Sequence, residues 1–175
     1  MGCDTVTEID KVLGTIKQAI AIERFGYDFY DEMRNFVKDR NGQLLISYLG
    51  RLEVDHIKWL EEEYQRQLSK LDELHEEQMV YISLIGKEEI FLGKDNLLEI
   101  FKDFNPLKAI KFAIDIEDRS VEFYEKNMEI TDDDKTKDLF NRLADFERDH
   151  ITILKDNLKS LQEMGLWKAL SIKSK

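Results

Sequence analysis

The chain carries one set of residues twice. Glu53-Val54-Asp55-His56 and Glu147-Arg148-Asp149-His150 are the same Glu-x-x-His motif, 94 positions apart. Glu23 and Glu117 are also 94 positions apart, and each lies 30 residues before one of the motifs. Two of the three histidines belong to these sets. Glu and His at i and i+3 point to one side of a helix. Carboxylates and imidazoles together suit a borderline transition metal. Any fold for this chain must place such a set twice, at matching depth, on helices.

Apolar spacing supplies the helices. Ile9, Val12, Leu13, Ile16, Ala19, Ile20, Tyr27, Tyr30 and Met33 recur at gaps of three and four, with Glu23 inside the stripe. The Thr7 hydroxyl, with Asp10 three residues on, predicts the start of this first helix. The cluster Asp39-Arg40-Asn41-Gly42 predicts its end. A second stripe runs through Leu45, Leu49, Leu52, Trp59, Leu60, Tyr64 and Leu68, with Glu53 and His56 on the same side. Asn105-Pro106 predicts the start of a third helix, a capping side chain followed by proline at the first turn. Its face carries Leu107, Ile110, Ile114, Val121, Tyr124 and Met128 around Glu117. Thr131 and the run Asp132 to Asp134 predict the cap of a fourth helix. Leu139, Leu143, Phe146, Ile153, Leu154, Leu158 and Leu161 flank Glu147 and His150 there, and Gly165 is its expected stop.

The expected fold is all-α, a four-helix bundle of two pseudo-symmetric helical hairpins with a long crossover between helices two and three. Residues 1–175 read as one domain, with hairpins over about 8–75 and 105–164 and the crossover over 76–104. Within the crossover, residues 97–101 suggest a short helix. The tail from Leu166 reads as a packed or frayed end. From Glu23 to a turn near residue 39 is about sixteen residues, roughly 24 Å of helix. From that turn back to Glu53 is about fourteen, so the two glutamates stand at one height. The second half repeats this, and four glutamates and two histidines should converge at mid-bundle. Four buried carboxylates repel one another and lose hydration, so they must bind protons, bind cations or stay wet.

Composition excludes several function classes. A formal charge of -11 argues against nucleic acid, whose phosphates need a basic face. No stretch approaches about eighteen apolar residues, so no membrane span is expected. The single cysteine, Cys3, supports neither a disulfide framework nor a cysteine metal knuckle, and fits a reducing, cytoplasmic setting. Residues 1–6 contain no signal-peptide run, and Val6 stands where an acylation motif wants Ser or Thr.

A Glu from each of two helices plus Glu-x-x-His from each of the other two resembles the ferritin-like diiron-carboxylate superfamily. The runs Ala19-Ile20-Ala21-Ile22-Glu23 with Phe29-Tyr30, and Ala113-Ile114-Asp115-Ile116-Glu117 with Phe123-Tyr124, resemble its rubrerythrin-like branch, over residues 9–164. The resemblance implies two iron ions, with manganese or zinc as alternatives, held by Glu23, Glu53, His56, Glu117, Glu147 and His150. Glu23 and Glu117 would be terminal ligands, and Glu53 and Glu147 bridges. It implies a non-haem dinuclear metal protein reacting with dioxygen or hydrogen peroxide, such as two-electron peroxide reduction or related oxidase chemistry. An external electron donor is the implied partner, and self-association into a homodimer is an option. Rubrerythrins usually carry one more ligating Glu three residues after the helix-three Glu, where this chain has Ser120. They often carry a four-cysteine iron domain as well, which one cysteine cannot build.

Two other readings stand beside this one. The first is an iron-binding, ferroxidase or storage-type protein, and the second is a metal-free helical interaction protein. Tyr27, Tyr30 and Tyr124 share a face with the lone glutamates. They are either core aromatics or tyrosines that hydrogen-bond to a ligand or take a redox role. Asp55 and Asp149 either orient an imidazole or form exposed salt bridges. His75 reads as a surface residue, and Glu61-Glu62-Glu63 as a solvated face.

Overall fold

A computed structural model describes residues 2–70 and 100–169, with side chains from residue 9 onward. Four long helices account for most of them: α1 Gly2–Phe36, α2 Arg40–Leu68, α3 Pro106–Ile130 and α4 Asp134–Met164. The fold is the expected all-α bundle. Each hairpin closes through three residues, 37–39 in the first and 131–133 in the second. α1 packs along α2 and α3 along α4. The two hairpins then meet through α1 with α3 and α2 with α4. No described helix is long and apolar enough to cross a membrane.

The helix ends follow local chemistry. Asp39 caps α2, its Oδ1 accepting from the Gly42 amide at 3.0 Å. Asn105 caps α3, accepting from Leu107 at 2.9 Å and Lys108 at 3.1 Å, with Pro106 in the first turn. Gly165, at φ 67°, ends α4 and donates to the Leu161 carbonyl at 3.0 Å.

Two expected caps are corrected. α1 does not start at Thr7 but runs from Gly2; a hydroxyl caps only where the preceding chain leaves the helix, and no proline interrupts residues 2–7. Of the expected capping residues of α4, Thr131 and the run Asp132 to Asp134, it is Asp133 and not Thr131 that caps, accepting from the Thr136 amide at 3.0 Å. Thr131 ends α3 instead. Asp39 and Asp133 are themselves 94 positions apart, so the repeat extends to the caps.

Residues 71–99 lie outside the described residues; they take in the end of the expected first hairpin with His75, positions 76–99 of the expected crossover 76–104, and positions 97–99 of its expected short helix. Residues 100–102 are helical. The expected tail is packed as far as described. Trp167 is buried, Ser160 donates to the Leu166 carbonyl at 2.7 Å, and the Lys168 amide donates to Asn157 Oδ1 at 3.0 Å.

Two apolar clusters fill the bundle. One holds Phe29, Tyr30, Met33, Leu45, Leu49, Ile110 and Leu154. The other holds Leu13, Ile16, Ile20, Leu60, Tyr124, Phe140 and Leu143. Between them lies a layer of charge.

Candidate metal centre

That layer is made by the six residues of the doubled set. Glu23 comes from α1, Glu53 and His56 from α2, Glu117 from α3, and Glu147 and His150 from α4. Each is no more than 2% exposed. Their donor atoms form two overlapping groups that could hold a metal ion. One is Glu23, Glu53, His56 and Glu147, and the other is Glu53, Glu117, Glu147 and His150, with all donor atoms of a group within 4.8 Å of one another. Glu53 and Glu147 belong to both groups.

The Nδ1 atoms of both imidazoles face the carboxylates. His56 Nδ1 lies 3.0 Å from Glu23 Oε2, 3.0 Å from Glu147 Oε1 and 3.4 Å from Glu53 Oε2. His150 Nδ1 lies 2.9 Å from Glu147 Oε2, 3.5 Å from Glu53 Oε1 and 3.6 Å from Glu117 Oε1. Only the His56–Glu23 approach is aligned as a hydrogen bond. Glu53 Oε1, both Glu147 oxygens and His150 Nδ1 are buried without a hydrogen-bond partner. Several potential ligand atoms thus crowd together at close range without hydrogen bonds between them, an arrangement that a bound cation relieves.

Protonation reflects the same crowding. Burial, then the charges of Glu147, Glu117 and Glu23, push the Glu53 carboxyl well above its ordinary range. Burial and Glu147 push Glu117 up to about 7. Burial acts on Glu147 in the same direction, but the imidazoles of His150 and His56 outweigh it and bring that carboxyl down to about 2. Burial disfavours both imidazolium ions. Glu23 beside His56 and Glu147 beside His150 overcome this and raise both histidines well above their ordinary value. Protons therefore compete with any cation for this layer.

The tyrosines divide. Tyr30 on α1 donates to Glu117 Oε1 on α3, and Tyr124 on α3 donates to Glu23 Oε1 on α1. These reciprocal bonds cross between the hairpins. Burial and the carboxylate each one touches raise both phenols well above their ordinary value, so both keep their protons. Tyr27 does not join them and is 37% exposed. Seven residues from Glu23 is about 20° off its direction around the helix, whereas four residues is about 40° to the other side.

Asp55 does not orient an imidazole. It pairs with Lys58 at 3.0 Å on the surface, and Asp149 is exposed. The Nε2 atoms of both histidines have no hydrogen-bond partner among the described residues. Ring packing holds His56 instead, with centroids 5.5 Å from Trp59, 5.4 Å from Phe146 and 5.5 Å from His150. Ser120 is buried and donates to the Ile116 carbonyl of its own helix at 3.1 Å.

The expected solvated run Glu61-Glu62-Glu63 is corrected at one position. Glu61 reaches Arg24 at 3.3 Å, but Glu63 is buried and accepts from Arg66 at 2.7 Å and Gln67 at 3.0 Å, with Thr136 of α4 also donating to it. Glu63 stands seven residues after His56 and so shares its stripe, a signal that three consecutive glutamates obscure.

Residues 15–158 match the family model described as Rubrerythrin. Among solved structures, the chain is similar to a hypothetical protein from Pyrococcus furiosus. The two are 20% identical at a TM-score of 0.65, over 89% of this chain and 93% of that one. At that identity the likeness concerns the fold. No curated protein matches the chain.

Proposed function

The chain belongs to the rubrerythrin family, and we propose that it is a non-haem dinuclear metal protein, with iron as its metal, that reacts with dioxygen or hydrogen peroxide. The observation that carries this reading is the buried set of carboxylate and imidazole atoms without hydrogen-bond partners. The donor set fits the group. Four carboxylates balance two divalent cations, and mixed oxygen and imidazole donors suit iron, manganese and zinc.

One ion would be held by Glu23, Glu53, His56 and Glu147, and the other by Glu53, Glu117, Glu147 and His150. Glu53 and Glu147 would bridge, and Glu23 and Glu117 would be terminal. A redox-active pair bound there supplies the two electrons that peroxide reduction consumes. The residues of the chain set the conditions for this. Tyr30 and Tyr124 hold the terminal carboxylates Glu117 and Glu23 in place and keep their own protons at Oη. The apolar clusters on either side exclude bulk water. Ser120, turned to its own helix backbone, contributes no fifth carboxylate. With no second redox centre among the described residues, the electrons that restore the pair come from an external donor.

Elemental analysis of protein from iron-replete cells tests the reading. About two iron per chain, with a rapid peroxide-driven change in near-ultraviolet absorbance, is the expected result. Protein that remains metal-free after reconstitution with ferrous, manganous and zinc ions refutes it.

A further inference from the structure

The repeat holds at the ligands and breaks beside them. Gly26 and Gly50 line the contact between α1 and α2 next to Glu53. The positions 94 residues on are Ser120 and Ala144. A Cβ on Gly50 would stand 3.4 Å from the Tyr30 Cβ, so the two helices run close there. A Cβ on Gly26 would stand 3.3 Å from Glu53 Cδ, 3.4 Å from its Oε1 and 3.6 Å from its Cγ. The α1 backbone therefore forms one wall of the space that the Glu53 carboxylate fills. Glu53 Oε1, the oxygen nearest that wall, is among the buried atoms without a hydrogen-bond partner. In the second half Ser120 occupies the equivalent place, and its hydroxyl turns away to Ile116.

We propose that Gly26 is a positioning residue that sets where the Glu53 carboxylate stands, and that this constraint acts in the first half alone. The inference rests on the dinuclear reading above. The physical reason is one of tolerance. A methyl at position 26 presses on the carboxylate, which must give way by a few tenths of an ångström. Metal–ligand distances tolerate only about 0.2 Å. Because Glu53 belongs to both candidate metal positions, one displaced carboxylate loosens both. Without metal, Glu53 Oε1 has no hydrogen-bond partner among the described residues and Oε2 has only the 3.4 Å approach of His56 Nδ1, so the carboxylate yields more readily. Alanine also suits a helix interior better than glycine does. The same substitution therefore acts in opposite directions on the metal-loaded and metal-free protein, which a simple packing fault does not.

The test titrates metal-free wild type, Gly26→Ala and Ser120→Ala with Co(II), followed by visible absorption. Thermal unfolding of each metal-free protein is followed by circular dichroism. Wild type and Ser120→Ala are expected to take up two Co(II) with equal affinity. Gly26→Ala is expected to bind its last Co(II) about tenfold or more weakly, within the range seen when ligand supports are altered. Metal-free Gly26→Ala should melt no lower than wild type. Wild-type cobalt affinity in Gly26→Ala overturns the inference, as does weak binding accompanied by a lower melting temperature of the metal-free variant. A wild-type chain that takes up no cobalt overturns the dinuclear reading itself.

Discussion

Removing metal should invert the way this protein responds to pH. In the metal-free fold, burial and the charge of Glu147 raise the Glu117 carboxyl from 4.5 to about 7. The folded chain thus keeps a proton that the unfolded chain gives up. Stability falls wherever the folded state binds more protons than the unfolded one, so it drops as pH rises through that window. Each pH unit of such a mismatch costs about 1.4 kcal/mol. Between about pH 5.5 and about pH 8, the mismatch at Glu117 spans about one and a half units, or about 2 kcal/mol. For a chain of this length that corresponds to about 4–8 °C in melting temperature. Glu53 and both histidines, also raised, act in the same direction. Glu147, brought down to about 2, adds stability that is present above 4.5 and lost only as pH falls toward its folded value. The metal-free protein should therefore be most stable in mildly acidic solution. With two divalent ions bound, protons become competitors, and stability should instead rise with pH. Circular dichroism melts in chelator, at both pH values, measure the effect. Glu117→Gln, which cannot titrate, should lose about 2 kcal/mol of the difference. This comparison also removes the general self-repulsion of an acidic chain. A metal-free melting temperature that is flat or higher at about pH 8, or a Glu117→Gln variant with the full wild-type slope, refutes the reasoning.

Three further expectations follow from the packing. Gly42→Ala should destabilise the fold by about 1–3 kcal/mol in urea unfolding, because its Cβ would stand 2.6 Å from Val37 Cγ1 and 2.7 Å from the Trp167 ring; unchanged stability would show that the C-terminal segment is not seated there. Tyr30→Phe removes the hydroxyl that holds Glu117 Oε1, and should weaken cobalt binding by about tenfold or more with little change in the circular dichroism spectrum. Trp59 lies 5.5 Å, ring to ring, from His56. Ferrous or cobaltous ion should therefore quench its emission, and Trp59→Phe, leaving only Trp167, should abolish most of the quenching.

The legible part of this molecule was periodic. Gaps of three and four residues located the helices, and Asn105-Pro106 and Gly165 marked ends that the fold uses. The 94-residue offset brought Glu23, Glu53, His56 and their counterparts to one depth before any coordinates were needed. The same offset joins Asp39 to Asp133, and would have singled out Asp133 among the expected capping residues of α4. The illegible part was lateral. Glu63, in a run of three glutamates, enters the core because Thr136 from α4 meets it, while Asp55, next to a candidate ligand, faces water.

The chain alone therefore determined which residues share a helix face and which stand at equal height, because both depend on a fixed rise and rotation per residue. The packing of the helices decided what each face meets. It made Tyr30 and Tyr124 cross to the opposite hairpin, left Tyr27 at the rim, and pressed the α1 backbone at Gly26 against Glu53. Those outcomes turn on distances between separate helices, set by the bulk of every side chain between them, and no spacing along one strand of sequence encodes them.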